Sequence, residues 1–99
     1  MTINKTQSGE KTVLALSGRL DTTTAPKLQE ALIPEFDGAN HVVADFAELA
    51  YVSSAGLRVL LMGEKAAKAK GGKFTLVNVS AEIMEIFEMT GFADILNIE

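Results

Sequence analysis

Apolar and polar residues alternate in two short stretches at the start of the chain. The segment KTVLALS, residues 11 to 17, lies between the turn formers Ser8-Gly9 and Gly18, which is typical of a strand. The segment TINKTQ, residues 2 to 7, precedes the Ser8-Gly9 turn and is predicted to pair with KTVLALS as an edge strand. The pattern therefore indicates a β-hairpin.

The next stretch, GRLDTTTAPKLQEALIPEF, has the spacing of an amphipathic helix. One of the threonines at 22–24 is expected to be the N-cap, with Pro26 in the first turn, where its missing N–H does no harm. Pro34 is expected to loosen the last turn, and Asp37-Gly38 closes the element. The apolar residues that repeat at helical spacing are Ala25, Leu28, Leu32 and Phe36.

Two apolar runs further along resemble buried central strands. They are HVVADF, residues 41 to 46, and FTLVNV, residues 74 to 79; near-continuous apolar character is typical of strands covered on both faces. The loop AELAY is expected after the first run, followed by a helix from Ala55 to about Ala69. Ser80 is expected to cap a third helix, AEIMEIFEMT, and a last strand is predicted over Ile95 to Ile98.

The predicted order is β-β-α-β-α-β-α-β. Strands that alternate with helices indicate an α/β fold. We expect one domain over residues 1–99, with a small mixed central sheet of about five strands, parallel in its middle, and helices packed around it.

Composition excludes several classes of function. The net charge of −4 disfavours nucleic acid as a partner. The chain has no cysteine and only one histidine, His41, so disulfides and thiolate or histidine-rich metal sites are not expected. No phosphate-binding glycine loop opens a helix, and we expect no cofactor. No apolar run approaches the roughly 20 residues of a membrane helix, and the polar start lacks a signal-peptide core, so a cytoplasmic protein without a membrane partner is expected.

Two adjacent hydroxyls, Ser53 and Ser54, lie where an apolar stretch meets the second predicted helix. Either could be an N-cap, worth about 1 kcal/mol. The same position suits a phosphate, because the first-turn N–H groups are partly positive. A phosphate on Ser54 would bring about −1.5 to −2 charges, and a partner docked there would have to desolvate them. Arg58, one turn along, could contact such a phosphate.

A catalytic serine is a third interpretation of this pair, and the pattern disfavours it. A nucleophile elbow needs Gly-x-Ser-x-Gly, whereas Val52 stands where the first glycine should be. His41, which begins the strand leading to this loop, is expected at the opposite end of the sheet. The sequence therefore predicts no catalytic residues and no enzymatic activity.

Three sequence blocks resemble the STAS family, and specifically the bacterial anti-sigma factor antagonists. They are Gly18-Arg19-Leu20-Asp21; Val42 to Phe46 followed by Tyr51 to Leu57; and Gly71-Gly72-Lys73 with Phe87 to Gly91. The resemblance covers nearly the whole chain and implies a small sheet with helices around it. It also implies binding to an anti-sigma factor serine kinase, which releases a sigma factor. The kinase then phosphorylates the antagonist, which dissociates, and a PP2C-type phosphatase restores it.

Aligned on Gly56-Leu57, the resemblance assigns the phosphoacceptor to Ser54. The family often has Asp immediately before that serine; this chain has Ser53 there, which makes Ser53 an alternative acceptor. Asp21 falls on the acidic residue that the family places beside the acceptor, and it could also cap the first helix. Family members commonly continue into a C-terminal helix, whereas this sequence stops at Glu99, so some apolar surface could be exposed or used for association.

The predicted partner surface combines the loop after the second strand, the serine turn and the outer face of the second helix. An alternative is a STAS-like scaffold or regulatory binding domain without obligatory kinase control. The residues predicted to form the surface are Asp21, Thr22, Thr23, Ser53, Ser54, Gly56, Arg58, Met62 and Lys65.

Overall fold

The computed structural model describes residues 1–38 and 40–99. Within these described residues, five strands form one sheet, in which their order along the chain is also their order in space. The first pair is antiparallel and the other three pairs are parallel, which confirms the predicted mixed α/β sheet. The strands are β1 (Thr2–Ser8), β2 (Lys11–Leu20), β3 (His41–Val52), β4 (Lys73–Val77) and β5 (Asn97–Ile98).

In the part of the chain that the structure describes, three α-helices connect the parallel strands: α1 (Ala25–Leu32), α2 (Ser54–Lys70) and α3 (Ala81–Thr90). Each crossover steps in the same direction across the sheet, and such crossovers are right-handed, so all three helices lie on one face. The cross-strand partners Leu14, Ala44 and Leu76 are buried under them. The residues that follow these three in their strands are only half-buried, as expected for the other face.

Aromatic side chains fill the layer between the helices and the sheet. Phe36 meets Phe74 edge-on, with ring centroids 5.8 Å apart, and Phe46 lies 6.3 Å from Phe87. Phe36 belongs to a 3₁₀ helix, Ile33–Gly38, that continues from α1. This confirms that the helix loosens at Pro34, because proline cannot donate the next helical hydrogen bond.

The loop predicted over AELAY is wrong, because β3 continues without interruption to Val52. The β2–β3 register shifts twice, between Ala15 and Ser17 and again between Gly18 and Arg19. Each shift inserts an extra β3 residue, a β-bulge. Buried residues in this part of β3 consequently recur every third position, and the alternation that would have revealed a strand is lost.

Two other strand boundaries differ from the prediction. β4 ends at Val77 rather than at residue 79, because Asn78 takes a left-handed conformation with φ of 56°. The Asn78 amide donates to Asp45 Oδ1 at 3.0 Å, which stabilises this turn. β5 spans only Asn97–Ile98, because the preceding residues form a 3₁₀ turn, Phe92–Asp94.

Candidate functional site

Ser53 is the N-cap of α2. Its backbone is extended, with φ −92° and ψ 175°, and its Oγ accepts a hydrogen bond from Gly56 N at 3.3 Å. Its own N–H donates to Leu20 O at 2.8 Å. The cap expected from the sequence is therefore made by Ser53, whose side-chain oxygen is engaged in it.

Ser54 occupies the first position of α2 and is exposed. Since Ser53 supplies the cap, the Ser54 hydroxyl is not needed to begin the helix. It lies where the first-turn N–H groups give the helix end a partial positive charge. Of the two serines, Ser54 is therefore the more exposed one, and Ser53 is the one that makes the cap.

Gly56 brings the start of α2 into contact with the end of β2. A Cβ at this position would lie 2.6 Å from Leu20 Cγ and 3.1 Å from Leu20 O, and Leu20 is fully buried. Only a residue without a side chain allows this approach. The close packing places the loop after Leu20, which begins at Asp21, beside the Ser53-Ser54 turn.

Asp21 organises that loop. Its Oδ1 accepts hydrogen bonds from the Thr23 hydroxyl at 2.7 Å, from Thr23 N at 3.1 Å and from Thr24 N at 3.2 Å. The Thr23 hydroxyl contributes most to lowering the pKa of Asp21 below its usual value, and backbone N–H groups of Thr24 and Thr23 add to it. Asp21 is therefore ionised at neutral pH, next to the serine turn.

Thr24 is the N-cap residue of α1, but it does not cap through its oxygen as predicted for one of the threonines. Its backbone is helical, with φ −98° and ψ −19°, so the hydroxyl is directed back toward the loop. It donates to Arg19 O at 2.8 Å and accepts from Asp21 N at 2.8 Å. The Asp21 carboxylate binds the N–H groups of Thr23 and Thr24, which precede the first helical residue, whereas Ala25 N donates to the backbone carbonyl of Asp21. Asp21 therefore fixes the turn that leads into α1, and its side chain does not cap the first helical residues as considered from the sequence.

A groove of about 230 Å³ runs between α1 and α2, beside the serine turn. Arg58 and Met62 line it from α2, and Thr22 lines it from the Asp21 loop. Lys65 is exposed one further turn along the same stripe of α2. The structure thus brings most of the predicted surface residues to the junction of the Asp21 loop with α2: Asp21, Thr22, Thr23, Ser53, Ser54, Arg58 and Met62. Gly56 lies there too but is buried against Leu20, so it shapes the turn and is not exposed to a partner, and Lys65 lies one turn beyond the groove.

Sequence reasoning missed the contribution of α1 to this groove. Pro26 and Gln29 line it together with Thr22. Pro26 and Gln29 are three residues apart in α1, so they share one face of that helix, and Thr22 lies in the turn that precedes it. Nothing in the sequence indicated this face, because Pro26 and Gln29 lie outside the apolar stripe of α1.

His41 lies at the other end of β3 from Ser54, as expected. Its Nε2 is 3.0 Å from the hydroxyl of Thr75, a buried residue of β4. Burial is the main cause that lowers its pKa, and the positive charges of Lys11 and Lys73 lower it further. The imidazole therefore has a structural partner and cannot reach Ser54 as a base.

Within residues 1–38 and 40–99, no group of three or more histidine or acidic side chains is arranged to hold a metal ion. In the same part of the chain, none of the helices is both long enough and apolar enough to cross a membrane.

A family model described as "Mlab, STAS domain" matches residues 3–97 of the sequence. The chain belongs to the STAS domain family. This agrees with the family suggested by the three sequence blocks.

Curated relatives of this STAS domain are anti-sigma factor antagonists. It is 33% identical over 87 residues to the putative anti-sigma factor antagonist BtrV of Bordetella bronchiseptica, covering 87% of this chain and 75% of that protein. It is 31% identical over 83 residues to the anti-sigma-B factor antagonist of Bacillus subtilis, covering 84% of this chain and 76% of that protein.

Solved structures confirm the fold of this STAS domain. A putative anti-sigma factor antagonist from Thermotoga maritima superposes with a TM-score of 0.87 at 17% identity, covering 97% of this chain and 84% of that chain. The antagonist SpoIIAA in its unphosphorylated form superposes with a TM-score of 0.80 at 18% identity, covering 99% of this chain and 88% of that chain. SpoIIAA from Bacillus has also been solved in a phosphorylated form, with a TM-score of 0.75, 21% identity and coverage of 99% of this chain and 91% of that chain.

Proposed function

We propose that this protein is an anti-sigma factor antagonist that binds an anti-sigma factor serine kinase and dissociates from it when Ser54 is phosphorylated. A PP2C-type phosphatase restores the binding form. The proposed role is regulated binding rather than catalysis. The observation that carries the proposal is that the two adjacent serines at the start of α2 differ: Ser53 caps the helix, whereas the side chain of Ser54 is exposed.

The start of α2 can accept a phosphate without losing its fold. The first-turn residues after Ser54 are Ala55, Gly56 and Leu57, none of them acidic, so the helix dipole favours an added anion there. Arg58 is exposed within one turn of Ser54 and adds a positive charge. Phosphorylation therefore leaves the isolated domain folded.

A docked partner is affected in the opposite way. Asp21 is ionised beside the serine turn, so a phosphate on Ser54 places a second anionic group on the same small surface. Any protein that covers this surface must desolvate both groups, and a like charge on the partner would be repelled. The phosphate consequently weakens association without altering the groove itself.

The direct test is incubation with ATP and the cognate anti-sigma factor kinase. We expect one phosphate on the wild-type protein, none on Ser54→Ala, and normal labelling of Ser53→Ala. The matched control is Ser80→Ala, which removes the equivalent cap of α3 and should be labelled normally. Labelling that disappears only in Ser53→Ala would move the acceptor to Ser53. No labelling of the wild-type protein by a kinase that binds it would favour the unswitched scaffold.

A second test asks whether a negative charge weakens kinase binding only at residue 54 or also elsewhere on the protein. Ser54→Asp should weaken binding to the kinase by about tenfold or more, because like charges and buried anions at an interface cost several kcal/mol. Ala81→Asp puts the same charge at the first position of α3 and should bind as the wild type does. Equal weakening in both variants would contradict a local switch at Ser54.

A further inference from the structure

An arginine and a tyrosine form an exposed pair at the carboxyl ends of β2 and β3. The Arg19 guanidinium carbon lies 4.3 Å from the centroid of the Tyr51 ring, a cation–π contact. Tyr51 is 37% exposed, and the Arg19 side chain is 63% exposed. Neither side chain contributes to the core, so burial does not account for their contact.

This pair lies next to the proposed phosphorylation site but on the other side of the sheet. Arg19 and Tyr51 are register partners, and the following pair, Leu20 and Val52, is buried under the helices. Successive strand residues point to opposite faces, so the Arg19–Tyr51 pair is on the face without helices. Asp21 and Ser53 follow two residues after Arg19 and Tyr51, respectively.

The pair is connected to the Asp21 loop. Arg19 Nε lies 3.9 Å from Asp21 Oδ2, while Asp21 Oδ1 is engaged by Thr23 and Thr24. The guanidinium is thus positioned between an aromatic ring and a fixed carboxylate. Such positioning lowers the conformational entropy that Arg19 would lose on binding, and its exposed guanidinium can donate hydrogen bonds to an acceptor on another protein.

We infer that Arg19 and Tyr51 form a second contact point for the partner, which places a carboxylate side chain, flanked by an apolar group, against them. The partner then straddles the carboxyl end of the sheet, with the α1–α2 groove on one side and this pair on the other. Exposed arginine and tyrosine are the residue types that contribute most to protein interfaces. A carboxylate matches the planar fork of Arg19, and an apolar group covers the exposed part of the Tyr51 ring. This inference rests on the proposed function, because it concerns the same partner.

The test is the steady-state kinetics of Ser54 phosphorylation by the cognate anti-sigma factor kinase. Arg19→Ala and Tyr51→Ala should each raise KM by about tenfold and leave kcat unchanged, since the pair docks the partner and does not touch the reacting hydroxyl. Tyr51→Phe keeps the ring and should behave like the wild type. Arg19→Lys keeps the charge but not the fork, so it should give an intermediate KM.

Two control variants match the pair in character but not in position. Lys11→Ala removes an exposed cation from the opposite end of β2, and Met89→Ala removes a side chain that is 79% exposed on α3. Both should leave KM unchanged. Equal effects in Lys11→Ala, an unchanged KM in Arg19→Ala, or a fall in kcat alone would overturn the inference while leaving phosphorylation of Ser54 intact. Failure of any kinase to label the wild-type protein would instead overturn the proposed function, and the inference with it.

Discussion

The starts of α2 and α3 have the same local design and different surroundings. Each helix follows a parallel strand and begins at a serine with an extended backbone, Ser53 or Ser80. Each Oγ accepts a hydrogen bond from the backbone N–H three residues further along the chain. The donors are Gly56 N at 3.3 Å and Ile83 N at 3.2 Å. Each helix also ends at a glycine in the left-handed conformation, with φ of 76° at Gly71 and 83° at Gly91.

The differences begin at the next residues. After its cap, α2 has the exposed hydroxyl of Ser54, whereas α3 has Ala81 followed by the acidic Glu82. The third helical residue of α2 is Gly56, pressed against Leu20; that of α3 is Ile83, buried in the core. A serine N-cap is thus a structural feature of both α2 and α3. Only at α2 do a second hydroxyl, the absence of acidic first-turn residues and a neighbouring loop make it a candidate switch.

The largest effect is expected at the third position of α3. Ile83→Ala removes a side chain that is 1% exposed and should lower the free energy of unfolding by about 2–5 kcal/mol, through lost burial and a residual cavity. Chemical denaturation measures this. A loss under 1 kcal/mol would mean that α3 is not anchored as the structure indicates.

At Gly56, the equivalent position of α2, we expect a loss of stability when a larger side chain is introduced. Gly56→Ala should cost about 1–3 kcal/mol, because overpacking a filled site displaces buried neighbours. The double variant Leu20→Ala/Gly56→Ala checks the cause, since shortening Leu20 makes room for the new methyl group. We expect Gly56→Ala to cost less in that background, and strict additivity would contradict the contact.

The two caps should be energetically equivalent. Ser53→Ala and Ser80→Ala should each cost about 1 kcal/mol, the usual value of a lost N-cap. Thermal or chemical unfolding of the two variants measures the comparison directly. A cost well above this for Ser53 alone would indicate that its oxygen does more than cap α2.

A smaller, pH-dependent effect on stability is expected at the amino ends of β3 and β4, the strands that precede α2 and α3. His41 joins β3 to Thr75 of β4, and burial with nearby lysines lowers its pKa in the folded state. The unfolded chain therefore binds a proton first as pH falls below about 6.5, so this part of the stability is present above that pH and is lost below it. Unfolding curves at pH 7.5 and 5.5 should differ less in His41→Gln than in the wild type. An equal difference in both would assign the titration to another group.

The smallest effect on stability is expected for the phosphomimic. Ser54→Asp should change the free energy of unfolding by less than about 0.5 kcal/mol, or stabilise slightly, because an anion at the first helical position is favourable. Ala81→Asp, where Glu82 already supplies that charge, should gain less. Unfolding of Ser54→Asp at room temperature would remove the basis for a switch that acts on binding alone.

The strand and helix order could be predicted because it depends on neighbours along the chain. The alternation in β2, the helical spacing of Ala25, Leu28 and Leu32, and the cap at Ser80 were all confirmed. The second half of β3 was missed because its two bulges break the period on which such predictions depend. The α1 side of the groove was missed because Pro26 and Gln29 carry no apolar pattern.

The sequence by itself determined that two hydroxyls stand at the start of a helix, since caps and helical periodicity are properties of a few consecutive residues. Only the tertiary structure decided which of the two hydroxyls caps the helix and which residues lie next to the other hydroxyl. Asp21 and Ser54 are 33 residues apart in the chain, and they become neighbours because Leu20 packs on Gly56 and bonds to Ser53 N at 2.8 Å. The Arg19–Tyr51 contact likewise depends on two register shifts. Register and close packing arise from the whole assembled sheet, which is why no local pattern reports them.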